Sequence, residues 1–367
     1  GTSPTPVVHP PTATSEANFV SPASFDPAAW AGAVARRRHG GHTTLPERHR
    51  RRRTQARTRP VGPAPATVSV AQLSRFLADP ARAFLQTAAG ITFRQAIDLH
   101  DDIPLETRGL ERWGILNDLL EAWKSGLSGE SVEQALRRRE LHPPLEIGRL
   151  AFEAARADAA AVWAGAQPDW GAELASYSVE ITLQLPGLGH ITLVDEIRTR
   201  GGVAVTVTAS TGDEQIIRPW VESLALAAAG HAAPARLHRL VNHFGQLRPE
   251  TRGFPEVEAA EAVTRLTPLA HAYVLGQHRL VAVPAAPAIA YAWDVEHGNL
   301  DPADWRGPFR GYHRKWAWPG RAWELFFDSD VSELCDDVPL PEDPQTQPSA
   351  FAAWALAMYQ PLVRNHG

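Results

Sequence analysis

The sequence predicts an α/β fold with a small central mixed sheet flanked by helices. Apolar residues recur at helical spacing through residues 107–124 and 146–164. Three short segments with the alternating pattern of β-strands follow at about 175–185, 189–197 and 203–209. A helix, a strand and a long helix are then expected at 219–229, 236–242 and 256–276. This order is typical of a layered α/β arrangement.

The first ordered elements are expected just after Pro63. An amphipathic helix follows Val68-Ser69-Val70, and Asp79-Pro80 ends it because proline cannot continue the preceding turns. A second helix begins there. The side chains expected on the buried faces are Leu73, Phe76 and Leu77 on the first helix and Phe84 and Leu85 on the second.

Glycines at the predicted C-terminal ends mark where several of the remaining helices stop. The helix at 107–124 ends at Ser125-Gly126, and the two next helices are predicted at 131–140 and 146–164, the latter closed by Gly165. Gly230 closes the helix at 219–229. The long helix at 256–276 is expected to bury Ala259, Val263, Leu266 and Ala270.

Residues 1–62 are expected to form an extended linker that precedes one domain at 63–367. The first 25 residues are rich in Pro, Ser, Thr and Ala, and a short helix is expected to run from Phe25 to Val34. Residues 36–60 are rich in Arg, His and Gly, which predicts a disordered insertion because like charges repel. The alternative is a flexible arm that contacts phosphates.

The charge of the chain is unevenly distributed. Residues 1–59 carry ten arginines against three acidic residues, although the whole chain has a net charge of -5. The acidic remainder disfavours a protein that coats duplex DNA on its own. The single cysteine, Cys335, excludes an intrachain disulfide and a four-cysteine metal site. With no membrane span or leader pattern in the sequence, we expect a cytoplasmic protein.

Two predicted strands resemble a metal-nuclease hairpin that has lost its chemistry. They cover residues 189–194 and 203–210 and alternate apolar and polar side chains around Gly201-Gly202. A metal-dependent nuclease of this shape needs an Asp on the first strand, and an acid and a lysine two residues apart on the second. Those positions hold Thr192, Val207 and Ala209, which can neither bind Mg²⁺ nor activate a water molecule. We therefore expect no catalytic residues and no cofactor.

Aromatic and basic residues interleave through 305–327. Such a stretch can bind nucleic acid, because cations pair with phosphates while rings stack on unpaired bases. The candidate DNA-contacting residues are Arg306, Arg310, Arg314, Lys315, Trp316, Trp318 and Arg321. The alternative is that these aromatic side chains, with Trp323 and Phe326, fill a loop-rich core.

Other patterns indicate no further chemistry. The pairs His238/His243 and His271/His278 lack the spacing of four that places two metal ligands on one helix face, so we expect structural or solvent-facing histidines. Acidic neighbours of Cys335 disfavour a reactive thiol. The sequence has no Gly-rich phosphate loop with its lysine, and no nucleophile elbow.

Three segments together resemble the RecC family, the gamma chain of the helicase–nuclease exodeoxyribonuclease V. The first, at residues 73–85, is similar to the family's pattern Phe-x3-Pro-x-Arg-x-Phe-Leu. The second comprises Asp102–Leu105 and Gly109–Trp113, and the third is the helix at 219–230. Val8-His9-Pro10 and the segment 351–362 are weaker matches. The resemblance covers residues 5–365 and corresponds to the C-terminal third of the family's chain; the Arg-rich segment 36–60 departs from it.

The resemblance implies a restriction-endonuclease-like, PD-(D/E)XK domain with a degenerate active site. An active relative would carry a metal-binding histidine on the helix near Gly148, where this chain has Phe152. The implied role is non-catalytic: to dock RecB-like and RecD-like subunits, help split duplex DNA and guide single strands, without contact with a membrane. Two alternatives stay open, namely an active nuclease that uses Asp195 and Glu196 as a displaced acid set, and a free-standing single-strand binder that uses the 305–327 stretch.

Overall fold

The structure, a computed structural model, describes residues 34, 66–91, 110–138, 145–243, 245–304, 321–326 and 349–364. The elements below belong to one compact unit, Ala56–Gly367. The linker and the Arg-rich segment expected within residues 1–62 lie outside the described residues, apart from Val34. Cys335 and the segment 102–109 of the RecC resemblance also lie outside them.

The described part alternates between helices and strands. The strands are β1 (Thr67–Ser69), β2 (Leu174–Leu185), β3 (Gly189–Arg200), β4 (Ala204–Val207), β5 (Ala235–His243) and β6 (Gln246–Phe254). The helices are α1 (Val70–Ala78), α2 (Pro80–Ala89), α3 (Leu110–Lys124), α4 (Gly129–Arg138), α5 (Leu145–Trp170), α6 (Ile217–Ala228), α7 (Ala259–Gly276), α8 (Ala285–Glu296), α9 (Arg321–Glu324) and α10 (Ala350–Arg364). A short 3₁₀ turn, Asp213–Ile216, precedes α6.

The α/β class is confirmed, but the strands form two small mixed sheets rather than one central sheet. In the first sheet β3 lies between β1, to which it is parallel, and β2, to which it is antiparallel. In the second, β5 lies between parallel β4 and antiparallel β6. The two sheets are joined through the turn after β3, where Arg200 and Val203 form a single β-bridge.

The first two helices follow from local capping. The Ser69 hydroxyl accepts from the backbone N–H of Gln72, and the Gln72 side chain accepts from the backbone N–H of Ser69, which is a complete capping box. Asp79 then caps α2 through the N–H of Arg82, and Pro80 occupies the first helical position. All five apolar side chains predicted to be buried on this helix pair are buried.

Buried apolar side chains form two separate clusters. The first cluster packs the β1–β3–β2 sheet and part of the second sheet against α1, α2, α6, α7, α8 and α10. The second cluster packs α3, α4 and α5 against the other side of β4 and β5. Strand β4 contributes to both clusters, because Ala204 belongs to the first and Val207 to the second.

Several sequence predictions need correction. Helix α5 does not end at Gly165 but continues through Pro168 to Trp170, so the glycine serves close packing: a Cβ there would lie 3.2 Å from the Thr251 hydroxyl. Strand β6 and helix α8 were not predicted. On α7 the buried positions include Ala262, Leu266, Leu269 and Ala270, whereas Ala259 and Val263 are exposed.

Over the described residues, no helix combines the length and the apolar character that crossing a membrane requires.

Candidate functional site

The two strands of the nuclease-like hairpin diverge after their turn. Beyond the bridge between Arg200 and Val203, β3 and β4 belong to different sheets. Strand β1 pairs with β3 over residues 192–194, on the edge opposite β2. Because a strand has only two edges, β4 cannot pair with β3 at that level. The position expected for the first acid is therefore separated from the positions expected for the second acid and the lysine.

Thr192 lies inside the first sheet. Its neighbours in register are Thr67 on β1 and Thr182 on β2. The hydroxyls of Thr192 and Thr182 are 3.2 Å apart, and the backbone N–H of Thr192 donates to the carbonyl of Ala66. The side chain is only partly buried. At this position, sheet pairing and a hydroxyl contact stand where a nuclease would hold a metal-binding carboxylate.

The other three positions come together in the second cluster. Phe152 on α5 is 1% exposed, Val207 at the end of β4 is 5% exposed, and Ala209 just beyond it is 2% exposed. They pack with aliphatic side chains of α3, α4 and α5 and with Leu240 on β5. A hydrated divalent cation could not occupy this space without large rearrangement, because its oxygen ligands and waters need polar surroundings.

A lysine that the sequence analysis did not single out reaches β4. Lys124, the last residue of α3, donates from Nζ to the carbonyl of Val207 at 2.9 Å and to Glu121 Oε1 at 2.6 Å. Its Nζ also lies 5.9 Å from the centre of the Trp170 ring. A cation is thus present beside the position expected for the second nuclease acid, but it comes from a helix and not from the strand.

Trp170 links this region to the end of β3. The Arg200 guanidinium carbon lies 4.0 Å from the Trp170 ring centre, and its Nη1 donates to the Trp170 carbonyl. The indole N–H of Trp170 donates to the carbonyl of Lys124. The ring also neighbours Trp163, whose centroid is 6.0 Å away. These contacts tie α3, α5 and β3 together around a half-buried tryptophan.

A cavity of about 470 Å³ occupies the opening between β3 and β4. Its charged lining comprises Asp195, Glu196, Arg198 and Arg200 on β3 and Arg218 and Glu222 on α6. The two acids of the alternative nuclease hypothesis therefore lie in a concave site, close to cations.

Both of these carboxylates already accept hydrogen bonds. One Asp195 oxygen accepts from the backbone N–H of Ala71 at 3.0 Å, in the first turn of α1, and the other accepts from the N–H of Glu196. Glu196 accepts from the hydroxyl of Ser176. The opposing cation Arg218 pairs with Glu222, whose charge raises the pKa of Arg218, with a further contribution from Asp195. Asp195 thus caps a helix, a role that stabilises its negative charge without a metal.

The aromatic–basic stretch is described only at its end. Arg306, Arg310, Arg314, Lys315, Trp316 and Trp318 lie outside the described residues, and so does the side chain of Arg321 at the start of α9. The next aromatic residues, Trp323 and Phe326, are buried in the first cluster. This end of the stretch therefore packs in the core, as the alternative interpretation expected.

A buried histidine forms the most complete side-chain network that the sequence analysis missed. His238 on β5 contacts Asp169 through Nε2 at 3.1 Å and the Thr251 hydroxyl through Nδ1 at 3.0 Å. Burial lowers the pKa of His238, and the Asp169 carboxylate opposes that effect. Asp169 also pairs with Arg236. The network fastens the end of α5 to β5 and β6, a role for which the sequence pattern gave no signal.

Two other described histidines, His271 and His243, fit the structural and the solvent-facing prediction respectively. Burial also lowers the pKa of His271, which lies beside Trp354, whereas His243 is exposed. Within the described ranges, no group of three or more His, Cys, Asp and Glu side chains is arranged to hold a metal ion.

The fold and this site define a mixed α/β protein in which Phe152, Val207 and Ala209 pack together in one apolar cluster. A family comparison identifies it further. The chain belongs to the RecC C-terminal domain family, which matches residues 65–296, more than half of the sequence. This confirms the resemblance to RecC and associates the chain with the RecBCD-type DNA-repair complex, exodeoxyribonuclease V. No curated protein matches the sequence.

Proposed function

We propose that this chain is a non-catalytic module of a RecBCD-type helicase–nuclease. It scaffolds RecB-like and RecD-like subunits, helps split duplex DNA and guides the separated strands, in the cytoplasm. The observation that carries the proposal is the burial of Phe152, Val207 and Ala209 in one apolar cluster. A site packed in this way has no room for the metal and water that phosphodiester hydrolysis requires, so cleavage and ATP hydrolysis belong to the partner subunits.

We also propose that residues 63–367 form a degenerate restriction-endonuclease-like domain, preceded by a linker over residues 1–62. What supports this is the α/β succession of helix, three strands, helix and strand in α5, β2, β3, β4, α6 and β5, in which β4 pairs with β5 in parallel. Strand β1 pairs with β3 at residues 192–194 and β4 belongs to the other sheet, which accounts for the isolation of Thr192 from the other vacated positions.

An active nuclease with a displaced acid set is the second candidate. The cavity beside Asp195 and Glu196 favours it, since both carboxylates line a concave surface. Their hydrogen bonds to Ala71, Glu196 and Ser176 speak against it, because each bond occupies a lone pair that a metal ion would need. A free-standing single-strand binder is the third candidate; it would bind DNA alone with a steep dependence on salt.

The test combines co-purification with a nuclease assay. The chain is co-expressed with tagged RecB-like and RecD-like subunits, and the same chain is incubated alone with linear DNA and Mg²⁺. We expect co-purification with both subunits and no cleavage by the chain alone. Mg²⁺-dependent cleavage that disappears in the Asp195→Ala and Glu196→Ala variants would overturn the proposal in favour of the displaced acid set. Failure to co-purify would contradict the scaffold role itself.

A further inference from the structure

A second cavity lies beside the first apolar cluster. It has a volume of about 500 Å³ and is bounded by α1, α2 and α7. We call it the α1–α2–α7 groove. Its principal lining side chains are Gln72, Arg75, Phe76, Arg82, Tyr273 and Gln277. The size is that of a site for a small ligand or a short stretch of an extended polymer.

The exposed charged side chains of the groove are two arginines. Arg75 and Arg82 are exposed on consecutive helices, and Arg75 donates through Nε to the carbonyl of Ala71. The carboxylate of the groove, Asp79, accepts from the backbone N–H of Arg82 and from the side chain of Trp323. Burial raises the pKa of Asp79, against the lowering effect of these bonds. The charge of Arg82 also acts on the Asp79 carboxylate, so the groove carries two guanidinium groups against one carboxylate and its net charge is positive, which favours an anion.

The walls also offer an aromatic ring and several amides. Tyr273 is half-buried, and its ring meets Phe76 edge-on with centroids 5.4 Å apart. Burial raises the pKa of Tyr273, although the nearby charge of Arg75 opposes this. The phenol therefore keeps its proton at neutral pH and can donate a hydrogen bond. Gln72, Gln86 and Gln277 add amide groups, which can both donate and accept.

We propose that the α1–α2–α7 groove binds a segment of single-stranded nucleic acid. Arg75 and Arg82 pair with phosphates, while Tyr273 and the glutamine amides contact sugars and bases. Two guanidinium groups around a polar, partly aromatic cavity match this chemistry. A duplex would need a broader basic face, and the chain as a whole has a net charge of -5. The inference rests on the proposed function of guiding single strands, and it identifies the groove as the surface that contacts them.

The course of the chain gives independent support. The aromatic–basic stretch runs into α9, and α9 packs against α2. Trp323 bonds to Asp79 in the groove wall, and the Phe326 ring lies 5.8 Å from Phe84 on α2. The part of the sequence richest in residues suited to nucleic acid is thus attached to one wall of this groove.

The first experiment measures the fluorescence anisotropy of a labelled oligothymidine with the full chain across a series of salt concentrations. In the double variant R75A/R82A we expect a loss of affinity on the order of tenfold at low salt. The slope of log K against log[salt] should become shallower by about 1.4, since each lost phosphate contact to a single strand contributes about 0.7. The matched control R138A/R248A removes the same charge from exposed positions outside both cavities and should change both quantities much less.

Three outcomes would overturn the inference. The wild-type chain could fail to bind oligothymidine at low salt, or the two double variants could lose the same affinity. A polyglutamate peptide of equal charge could bind as tightly as the oligonucleotide with the same loss in R75A/R82A, which would make the groove a protein-docking site. A second probe, photo-crosslinking with an oligonucleotide that contains 5-iododeoxyuridine, should label Tyr273, and labelling confined to other regions would also contradict the inference.

This inference and the proposed function fail in distinguishable ways. The R75A/R82A variant should still co-purify with the RecB-like and RecD-like subunits, because the substitution changes only exposed side chains. If the R75A/R82A variant kept its DNA affinity and co-purified normally, only the assignment of DNA binding to the α1–α2–α7 groove would be wrong. If the wild-type chain failed to co-purify with these subunits, the proposed scaffold function would be wrong, whatever the groove binds.

Discussion

The positions on β3 and β4 that we propose to be vacated nuclease positions lie in different surroundings. On β3, Thr192 is enclosed by sheet pairing to β1 and β2, and its side chain stays partly exposed. At the end of β4, Val207 and Ala209 are packed with Phe152 in an apolar cluster. Under the proposed function, polar sheet contacts take the place of a metal ligand at the β3 end, and an apolar core takes the place of the ligands at the β4 end.

The two surroundings differ in what they tolerate. A polar or charged side chain at Thr192 can reach water at the sheet surface, and so its cost is small. A charge at Val207 or Ala209 would have to leave water altogether, which costs several kcal/mol unless a partner is present. Substitution by a charged metal ligand therefore costs more stability at the end of β4 than at Thr192 on β3.

The largest expected effect comes from restoring ligands on β4. The double variant V207D/A209K should lower the free energy of unfolding by about 4 kcal/mol or more, because both ionisable groups enter the second cluster. The T192D variant should lower it by only about 1 kcal/mol, through the lost Thr182 contact and the poor strand propensity of Asp. Guanidinium unfolding curves measure both.

The same variants test the chemistry. We expect no Mg²⁺-dependent cleavage from V207D/A209K even when T192D is added, because β1 keeps the β3 position apart from β4. If V207D/A209K kept the stability of the wild type, the β4 end would be an open site and not a core. The comparison between the two strands would then no longer hold.

A smaller effect is expected from Lys124, the cation that lies beside β4. The Lys124→Met variant keeps most of the aliphatic chain but removes the bond from Nζ to the carbonyl of Val207, and its expected cost is about 1 to 2 kcal/mol. The matched variant Glu121→Gln removes only the exposed partner of the same lysine and should cost about 0.5 kcal/mol or less. Equal costs in urea unfolding would show that the contact with β4 contributes nothing.

The sequence predicted those features that depend on local signals. The break at Asp79-Pro80 and the alternating strands expected at 175–185 and 189–197 follow from a few adjacent residues, and the structure confirms them, with strands at 174–185 and 189–200. The continuation of α5 through Gly165 was not predictable in this way. That glycine resembles a helix end, but it is required by the close approach of Thr251, which is 86 positions away in the chain.

The arrangement of the candidate site could not be predicted from the sequence. The sequence identified Thr192, Val207 and Ala209 as positions without metal ligands, and the structure adds that Val207 and Ala209 are buried. Nothing local indicated that β1, more than a hundred residues earlier, would pair beside Thr192 and separate it from them. The contacts of Lys124 and His238 were also missed, because each depends on partners from distant elements.

The smallest expected effect is a pH dependence on the β4 side of the molecule. Burial lowers the pKa of His238, so the unfolded chain takes up a proton before the folded chain as the pH falls. The stability contributed by neutral His238 is complete above pH 6.5 and is lost as the pH falls toward its folded-state pKa.

In the His238→Gln variant the free energy of unfolding should therefore depend less steeply on pH below 6.5, by at most about 1.4 kcal/mol per pH unit. His271, whose pKa burial also lowers, accounts for a remaining slope in the same direction. His190→Gln is the matched control, because it removes a histidine from an exposed position on β3 that is outside the α5–β5–β6 network. Denaturant unfolding between pH 5 and 8 measures the three proteins, and identical slopes in the His238→Gln variant and the wild type would show that the α5–β5–β6 network does not hold His238 neutral.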